Sequence, residues 1–297
     1  EKLEALARSV DPALPVGGDP DHESLPVRHE DVGCYLQAVE QIRKVIAAGD
    51  FEKIVAARCT EFDLPGPFEL PIAIERLARR APSCTRFALL CDGDVFFGAT
   101  PERLVRRHGR ELRTEALAGS VEPGISAREA ARRLRASDKD AHEHSLVVRH
   151  LVDRLEPLCN ELIWEGTPRV RELRDVIHLD TPIRGELRTP IHVLDLVTRL
   201  HPTPAVGGVP TQAATTWIES HEPTPRGWYA GPFGWFDGHG DGDFGVALRS
   251  CLVRRGRAWV FAGSGIVADS DPEAELEETR IKQRAMVEAL AGAVDRA

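Results

Sequence analysis

The chain contains no C-x-x-C pair. Its six cysteines, Cys34, Cys59, Cys84, Cys91, Cys159 and Cys251, are scattered. That distribution argues against a disulfide framework and suits reduced thiols, so a cytoplasmic location is expected. No apolar run approaches the ~18 residues that a membrane span needs, which excludes a helical membrane anchor within the sequence. Stripes of basic residues with interleaved aromatics are also missing. Acidic residues outnumber basic ones 47 to 38, giving a net charge of −9, so nucleic acid is not an expected partner. There is no internal repeat and no low-complexity tract. No secretory leader opens the chain, although it starts at Glu1 rather than Met, which leaves room for an upstream segment.

What is present is a globular composition, 42% hydrophobic and 29% charged, in a chain of 297 residues with ample material for a core. Residues 1–30 are rich in Pro, Gly and acids and read as a linker or the remnant of an N-terminal segment, with one domain over 31–297. Helical spacing of Tyr35, Val39, Ile42 and Ile46 predicts a helix over 31–49, capped by Asp31. A strand is expected at 53–64, a helix at 69–80, and a hairpin of 86–91 and 94–100 around Asp92-Gly93-Asp94. A further strand pair spans 102–117. One long helical region covers 126–158, a strand pair or irregular segment lies at 168–179, and helices follow at 190–200 and in 201–218. Strands are expected at 228–237, 242–253 and 257–267, then a last helix at 272–292. Because the strands come in consecutive antiparallel runs, the class is α/β in composition and α+β in arrangement, not a βαβ repeat.

Two acidic stretches draw attention. In SDKDAHEH (137–144), His142 and His144 are two apart, about 200° around a helix axis, which is unlike the i, i+4 histidines of a zinc helix. Asp140 and Glu143, three apart, share a face. In DSDPEAELEETRIK, Asp271 caps, Pro272 fits the first helical position, and Glu275, Glu278 and Lys282 align on one face. Alone, such acids merely complement a helix dipole. Two acidic faces in one chain suit Mg²⁺, which takes oxygen ligands and keeps waters or a substrate anion. Glycines in GSGIV (263–267) can bring backbone N–H groups close to an anion, although an ordinary tight turn explains them equally well. Lys53 leads an apolar strand; burial beside a cation would lower its pKa and make it a base. Glu102, in GATPERL, is a surface acid on its own evidence.

Together and in order, KIVAAR (53–58), GATPERL (98–104), ALAGS (116–120), SDKDAHEH, HLDTPIRG (178–185), HPTPAVGG (201–208), GWYAGPFGW (227–235), VALRS (246–250), AGSGIV (262–267) and DPEAELEETRIK (271–282) resemble the chorismate-utilising enzymes, most of all the isochorismate synthases of menaquinone and siderophore formation. The resemblance runs from about residue 30 to the C-terminus. It implies a chorismate-binding fold of two packed antiparallel sheets flanked by helices, with the site between them. Chorismate is the implied substrate and Mg²⁺ the implied cofactor, held by Glu143 and Glu278 with Asp140 and Glu275 nearby.

The same resemblance implies Lys53 as the base that activates water and Glu102 as the acid that protonates the departing hydroxyl. It implies substrate contacts from Ser120, His178, Ala205, Tyr229, Arg249, Lys282 and the amides of Gly263 and Gly265. Relatives that use ammonia, such as anthranilate synthase, lack a lysine equivalent to Lys53, and both they and the salicylate synthases commonly carry threonine at the position of Ala205. Aminodeoxychorismate synthases, which do have a lysine in this region, are separated less cleanly. Lys53 with Ala205 therefore resembles a plain isochorismate synthase working without an amidotransferase partner. Against the family pattern, the chain is short at its N-terminus.

Overall fold

The structure, a computed structural model, describes residues 25–121 and 124–294. A largely buried strand, β2 (Lys53–Asp63), KIVAARCTEFD, places its β-branched and apolar residues in the interior of an antiparallel sheet. β1 (Val27–Glu30) flanks it on one side and β14 (Arg257–Ile266) on the other, in continuous register from Ile54 opposite Ile266 to Asp63 opposite Arg257. This first sheet continues through β13 (Ser250–Arg254), β4 (Asp94–Thr100) and β3 (Thr85–Cys91), in the order β1-β2-β14-β13-β4-β3, and the short β10 (Gly208–Val209) joins β2.

A second antiparallel sheet has the order β11-β12-β5-β6-β9-β7. Its strands are β11 (Pro232–Phe236), β12 (Gly242–Val246), β5 (Arg103–His108), β6 (Glu111–Val121), β9 (Ile177–Leu187) and β7 (Cys159–Trp164), with β8 (Arg169–Glu172) on β9. The expected class and the two-sheet arrangement are both found. Two short crossovers carry the chain between the sheets: Pro101-Glu102, from β4 to β5, and Ala247 to Arg249, from β12 to β13. They are stitched together by Val246 N–H donating to Glu102 O (3.2 Å) and Ala99 N–H donating to Arg249 O (3.1 Å).

Helices cover the outer faces. α1 (Val32–Ala47) buries Tyr35, Val39, Ile42 and Ile46, the residues its spacing predicts, and Asp31 caps it by accepting from Cys34 N–H at 2.9 Å. With α6 (Thr211–His221) it packs on Ile54, Ala56 and Ile266. α2 (Leu70–Arg80) and α7 (Pro272–Ala291) cover the first sheet around Phe62, Phe97 and Val260. α3 (Ala127–Ala136), α4 (Asp138–Leu155) and α5 (Val193–Leu200) serve the second sheet, with Leu151, Leu155, Leu196 and Leu200 against Leu104, Leu112 and Ile183. Among the described residues no helix is long and apolar enough to cross a membrane.

Several boundaries differ from the sequence reading. Residues 27–30, read as linker, form β1; residues 1–24 lie outside the described part. The helix expected over 126–158 breaks at Ser137, whose extended backbone ends α3 while its hydroxyl accepts from Asp140 N–H (3.2 Å) to start α4. The strand expected over 242–253 is two strands in different sheets, because Arg249 takes a left-handed φ of 49°. Residues 228–231 form a turn ahead of β11 instead of belonging to it.

Candidate active site

The crossovers, with Glu143 of α4 and Glu278 and Lys282 of α7, border a cavity of about 690 Å³, part of it open to solvent. Its lining includes Glu102, Ser120, Glu143, His178, Ala205, Tyr229, Arg249, Gly263, Gly265, Glu278 and Lys282. Among the candidate residues, Lys53, Asp140 and Glu275 stand behind that wall.

Glu102 is buried at the first crossover, 5% exposed. Burial, reinforced by the charge of Glu115, raises its carboxyl pKa to about 8. It therefore keeps its proton at neutral pH, which is what a proton donor requires. The surface acid that its sequence context suggested is a buried one.

Facing the same space from the second crossover is Arg249, whose Nη2 donates to His178 Nε2 at 3.1 Å. Because a guanidinium only donates, Nε2 must be the lone-pair nitrogen and the proton resides on Nδ1. From there it is donated to Gly119 O (3.0 Å), with Ser120 Oγ also in reach at 3.1 Å. Burial, and then the Arg249 charge, lower the His178 pKa to about 3, so the ring stays neutral. Gly119 is required where it sits: it has φ 74°, it lies at the register shift of β6 on β9, and an added Cβ would meet Asp140 Cβ at 3.2 Å. Among the described residues Arg249 makes no ion pair. The cavity thus presents a partly buried cation without an ion-pair partner, suited to a carboxylate.

Tyr229 stacks on Phe261 (centroids 5.2 Å apart), and burial pushes its hydroxyl up to about 12, so it remains a neutral hydrogen-bonding group. Opposite it, Val55 N–H donates to Gly207 O (2.8 Å) and Ala57 N–H to Glu222 Oε1 (3.0 Å). Their β14 partners Gly265 and Gly263 therefore form the non-hydrogen-bonded pairs of this ladder and turn their own N–H groups to the other side. On that side β13 has already ended and the cavity begins. The GSG segment is a strand with two amides turned toward the cavity, not a tight turn.

Three carboxylates of α4 and α7, Glu143, Glu278 and Glu275, are each partnered by a lysine. Lys53 Nζ donates to Glu143 Oε1 at 2.9 Å, Lys282 Nζ to Glu278 Oε1 at 2.6 Å and to Gly263 O at 2.9 Å, and Lys139 pairs with Glu275. Lys53 is fully buried, but its neighbour is this carboxylate and not the cation that the sequence reading invoked. Burial and the Glu278 charge hold Glu275 above the usual carboxylate range; against burial, Lys282 and then Lys139 hold Glu278 below it. Asp140 is raised by burial and by Glu143, while its Oδ1 accepts from Ser120 N–H at 3.4 Å. Among the described residues no three His, Cys, Asp or Glu side chains gather in metal-binding geometry. The donor chemistry nevertheless fits a hard divalent ion. These are oxygen donors close enough to perturb one another, Glu275 Oε2 is buried without a partner, and the missing Cβ of Gly265 leaves the space that Glu143 Oε1 occupies. His142 is exposed, and His144 bonds Thr181 Oγ1 at 2.8 Å.

Three groups escape the sequence reading. Lys139 is four residues before Glu143, a spacing that could have flagged it. Arg226 donates to Val206 O (2.6 Å), Val55 O (3.0 Å) and Glu222 (2.7 Å), tying the Ala205 loop to β2; only its i, i+4 offset from Glu222 hints at this. Arg171 and Glu115, behind Glu102, carry no local signal.

A model of the family described as chorismate binding enzyme matches residues 11–291. The salicylate biosynthesis isochorismate synthase of Pseudomonas aeruginosa is 43% identical over 94% of this chain and 58% of its own length. Isochorismate synthase MenF of Bacillus subtilis is 38% identical over 88% of this chain and 56% of its own length. This chain therefore spans just over half of either relative. The solved structure of the menaquinone-specific isochorismate synthase MenF of Escherichia coli superposes with a TM-score of 0.82 at 32% identity, covering 97% of this chain and 68% of that one.

Proposed function

The chain belongs to the chorismate-binding enzyme family, and from that membership and the cavity we propose that it isomerises chorismate to isochorismate by adding water at C2 with loss of the C4 hydroxyl. The observation that carries this reading is the opposition, in one cavity, of a carboxylic acid that keeps its proton, Glu102, and an arginine without a counter-charge, Arg249. A substrate anion suits the arginine, and the departing hydroxyl suits the acid.

In this reading Arg249, held by neutral His178, grips a substrate carboxylate, with Tyr229, Lys282 and the amides of Gly263 and Gly265 as further anion contacts. Ser120 and Ala205 complete the wall. Glu102 delivers its proton to the leaving oxygen. Lys53, as the neutral amine, takes the proton of the attacking water; its support is a fully buried side-chain nitrogen one side chain, Glu143, away from the substrate space. Glu143 and Glu278 would hold Mg²⁺, with Asp140 and Glu275 nearby. When bound, the ion would neutralise the ring carboxylate and stabilise developing charge. Lys53 together with Ala205 supports water over ammonia as the nucleophile, so no amidotransferase partner is needed, and supports stopping at the isomer. Whether the product serves menaquinone or a siderophore is left to the pathway around it, and a cytoplasmic setting suits either.

The test is proton NMR of chorismate incubated with the protein, with and without Mg²⁺ and in the absence of ammonia. A Mg²⁺-dependent approach to a chorismate–isochorismate mixture is expected. Lys53→Ala should retain chorismate binding and lose turnover. Salicylate with pyruvate, or turnover only on adding ammonium salts, would overturn the assignment.

A further inference from the structure

The peptide units on both sides of Glu102 are gripped by a single ion-pair network. Arg171 Nη1 donates to Pro101 O at 2.9 Å, just before Glu102; Arg103 N–H, just after it, donates to Glu115 Oε1 at 3.1 Å. The two grips are joined, since Arg171 forks onto Glu115 with Nη1–Oε1 at 2.8 Å and Nη2–Oε2 at 2.7 Å. Asp180 Oδ2 takes Arg171 Nε and Nη2 at 3.2 and 2.9 Å, anchoring the guanidinium to β9. All three side chains are largely buried, at 25% exposure for Arg171 and 11% for each acid, and they project from three strands, β8, β6 and β9. Arg171 is the shared hub of the network, because it is the group that touches both acids and the Pro101 carbonyl.

The crossover itself has two hydrogen bonds at Glu102, its N–H donating to Thr100 Oγ1 and its O accepting from Val246 N–H, both at 3.2 Å; the peptide units on either side depend on the ion-pair network for their direction. Bidentate geometry makes this network directional: a fork holds an angle, which a single charge does not. We propose that Arg171 and Glu115 form a positioning clamp that sets the aim of Glu102 and, through their opposed charges, the pH at which it gives up its proton. This rests on the reading of Glu102 as the proton donor. The charged and titratable groups around Glu102 are Glu115 from β6, Arg171 from β8, Lys53 from β2, Lys282 from α7 and Tyr229 from the turn before β11, with Arg249, Glu143 and Glu278 lining the same cavity. Only the first two also hold its backbone.

Each half of the clamp has a distinct signature. Glu115→Gln removes a negative charge beside Glu102 and leaves Arg171 balanced by Asp180 alone, so the carboxyl should ionise more easily. Arg171→Met does the reverse. Arg171→Lys keeps the charge and loses the fork. The measurement is kcat and KM against pH for each variant, alongside the titration of the Glu102 carboxyl in protein carrying carbon-13 glutamate, its signal identified by its loss in Glu102→Gln. The alkaline limb of kcat and the carboxyl titration should move together, to lower pH in Glu115→Gln and to higher pH in Arg171→Met. In Arg171→Lys the limb should stay near its wild-type position while kcat falls by about 100-fold at nearly constant KM, as expected for a misaimed group. Limbs that coincide with wild type in the charge-changing variants, or that shift in the same direction, would overturn the clamp. Arg171→Lys also carries the test if Arg171→Met fails to fold: unchanged kcat in it overturns the clamp. Wild-type turnover in Glu102→Gln would overturn the proton-donor reading instead, so the two failures are distinguishable.

Discussion

At Glu102, folding and chemistry have opposed requirements. The pKa of about 8 exceeds the ordinary 4.5 because burial, and then Glu115, penalise the charged form. With the folded-state value the higher, this residue's contribution to stability is complete below pH 4.5 and is lost as pH rises through 4.5 to 8. Glu102→Gln, neutral and of the same shape, escapes that loss. It should abolish turnover yet melt higher than the parent at pH 8, each kcal/mol regained being worth about 2–4 °C in a domain of this size. The gap should close toward pH 4.5. Calorimetry at the two pH values decides it, and equal melting at both would mean that the carboxyl is not held neutral by its site. The identity of Glu102 was legible in GATPERL through resemblance; its protonation was not, since the burial comes from residues far away in sequence.

Among the elements, the last acidic helix and the shared face of Asp140 and Glu143 were the most legible part of the site, because the Asp271 cap and i, i+3 spacing are local. What they meet was not. Gly265 looks like a turn residue in sequence, but in β14 it is the point where a side chain is forbidden: a Cβ there would meet Glu143 Oε1 at 2.1 Å and Lys53 Cε at 2.5 Å. Gly265→Ala should therefore break the Lys53–Glu143 pair and remove activity while leaving β14 paired, its φ being unremarkable. Loss of turnover with native circular dichroism is the expected outcome, and retained turnover would mean that the pair is dispensable. The break between α3 and α4 escaped the periodicity because Ala, Arg and Leu favour helix on both sides of Ser137. Ser137→Ala removes the cap of the acidic turn and should cost about 1 kcal/mol by urea denaturation. The split of β12 from β13 escaped for a related reason: GDFGVALRSCLV places Phe244, Val246, Leu248 and Leu252 at a strand's period of two, and the left-handed Arg249 sends its halves to different sheets.

For the whole molecule, the packing of two sheets around a polar seam leaves three histidines neutral inside. Burial lowers His144 to about 4, His178 to about 3 and His201 to about 4, against an ordinary 6.5. The unfolded chain takes up these three protons below pH 6.5 and the folded one does not, so the stability they contribute is complete above 6.5 and is lost as pH falls toward 3. Glu102 acts in the opposite sense, because the folded state holds a proton that the unfolded chain releases above 4.5. Near pH 5.5 the balance is three protons favouring unfolding against one opposing it. His150, also lowered by burial, adds to the unfolding side, while Glu275, Asp140 and Asp180, all raised by burial, reduce the difference. The net slope should lie between about 1 and 3 kcal/mol per pH unit, with stability falling toward acid. Urea unfolding at a series of pH values between those limits measures it directly. A flat profile would mean that the seam admits water and lets the histidines ionise in place, and the neutral His178 that orients Arg249 would then have to be abandoned as well.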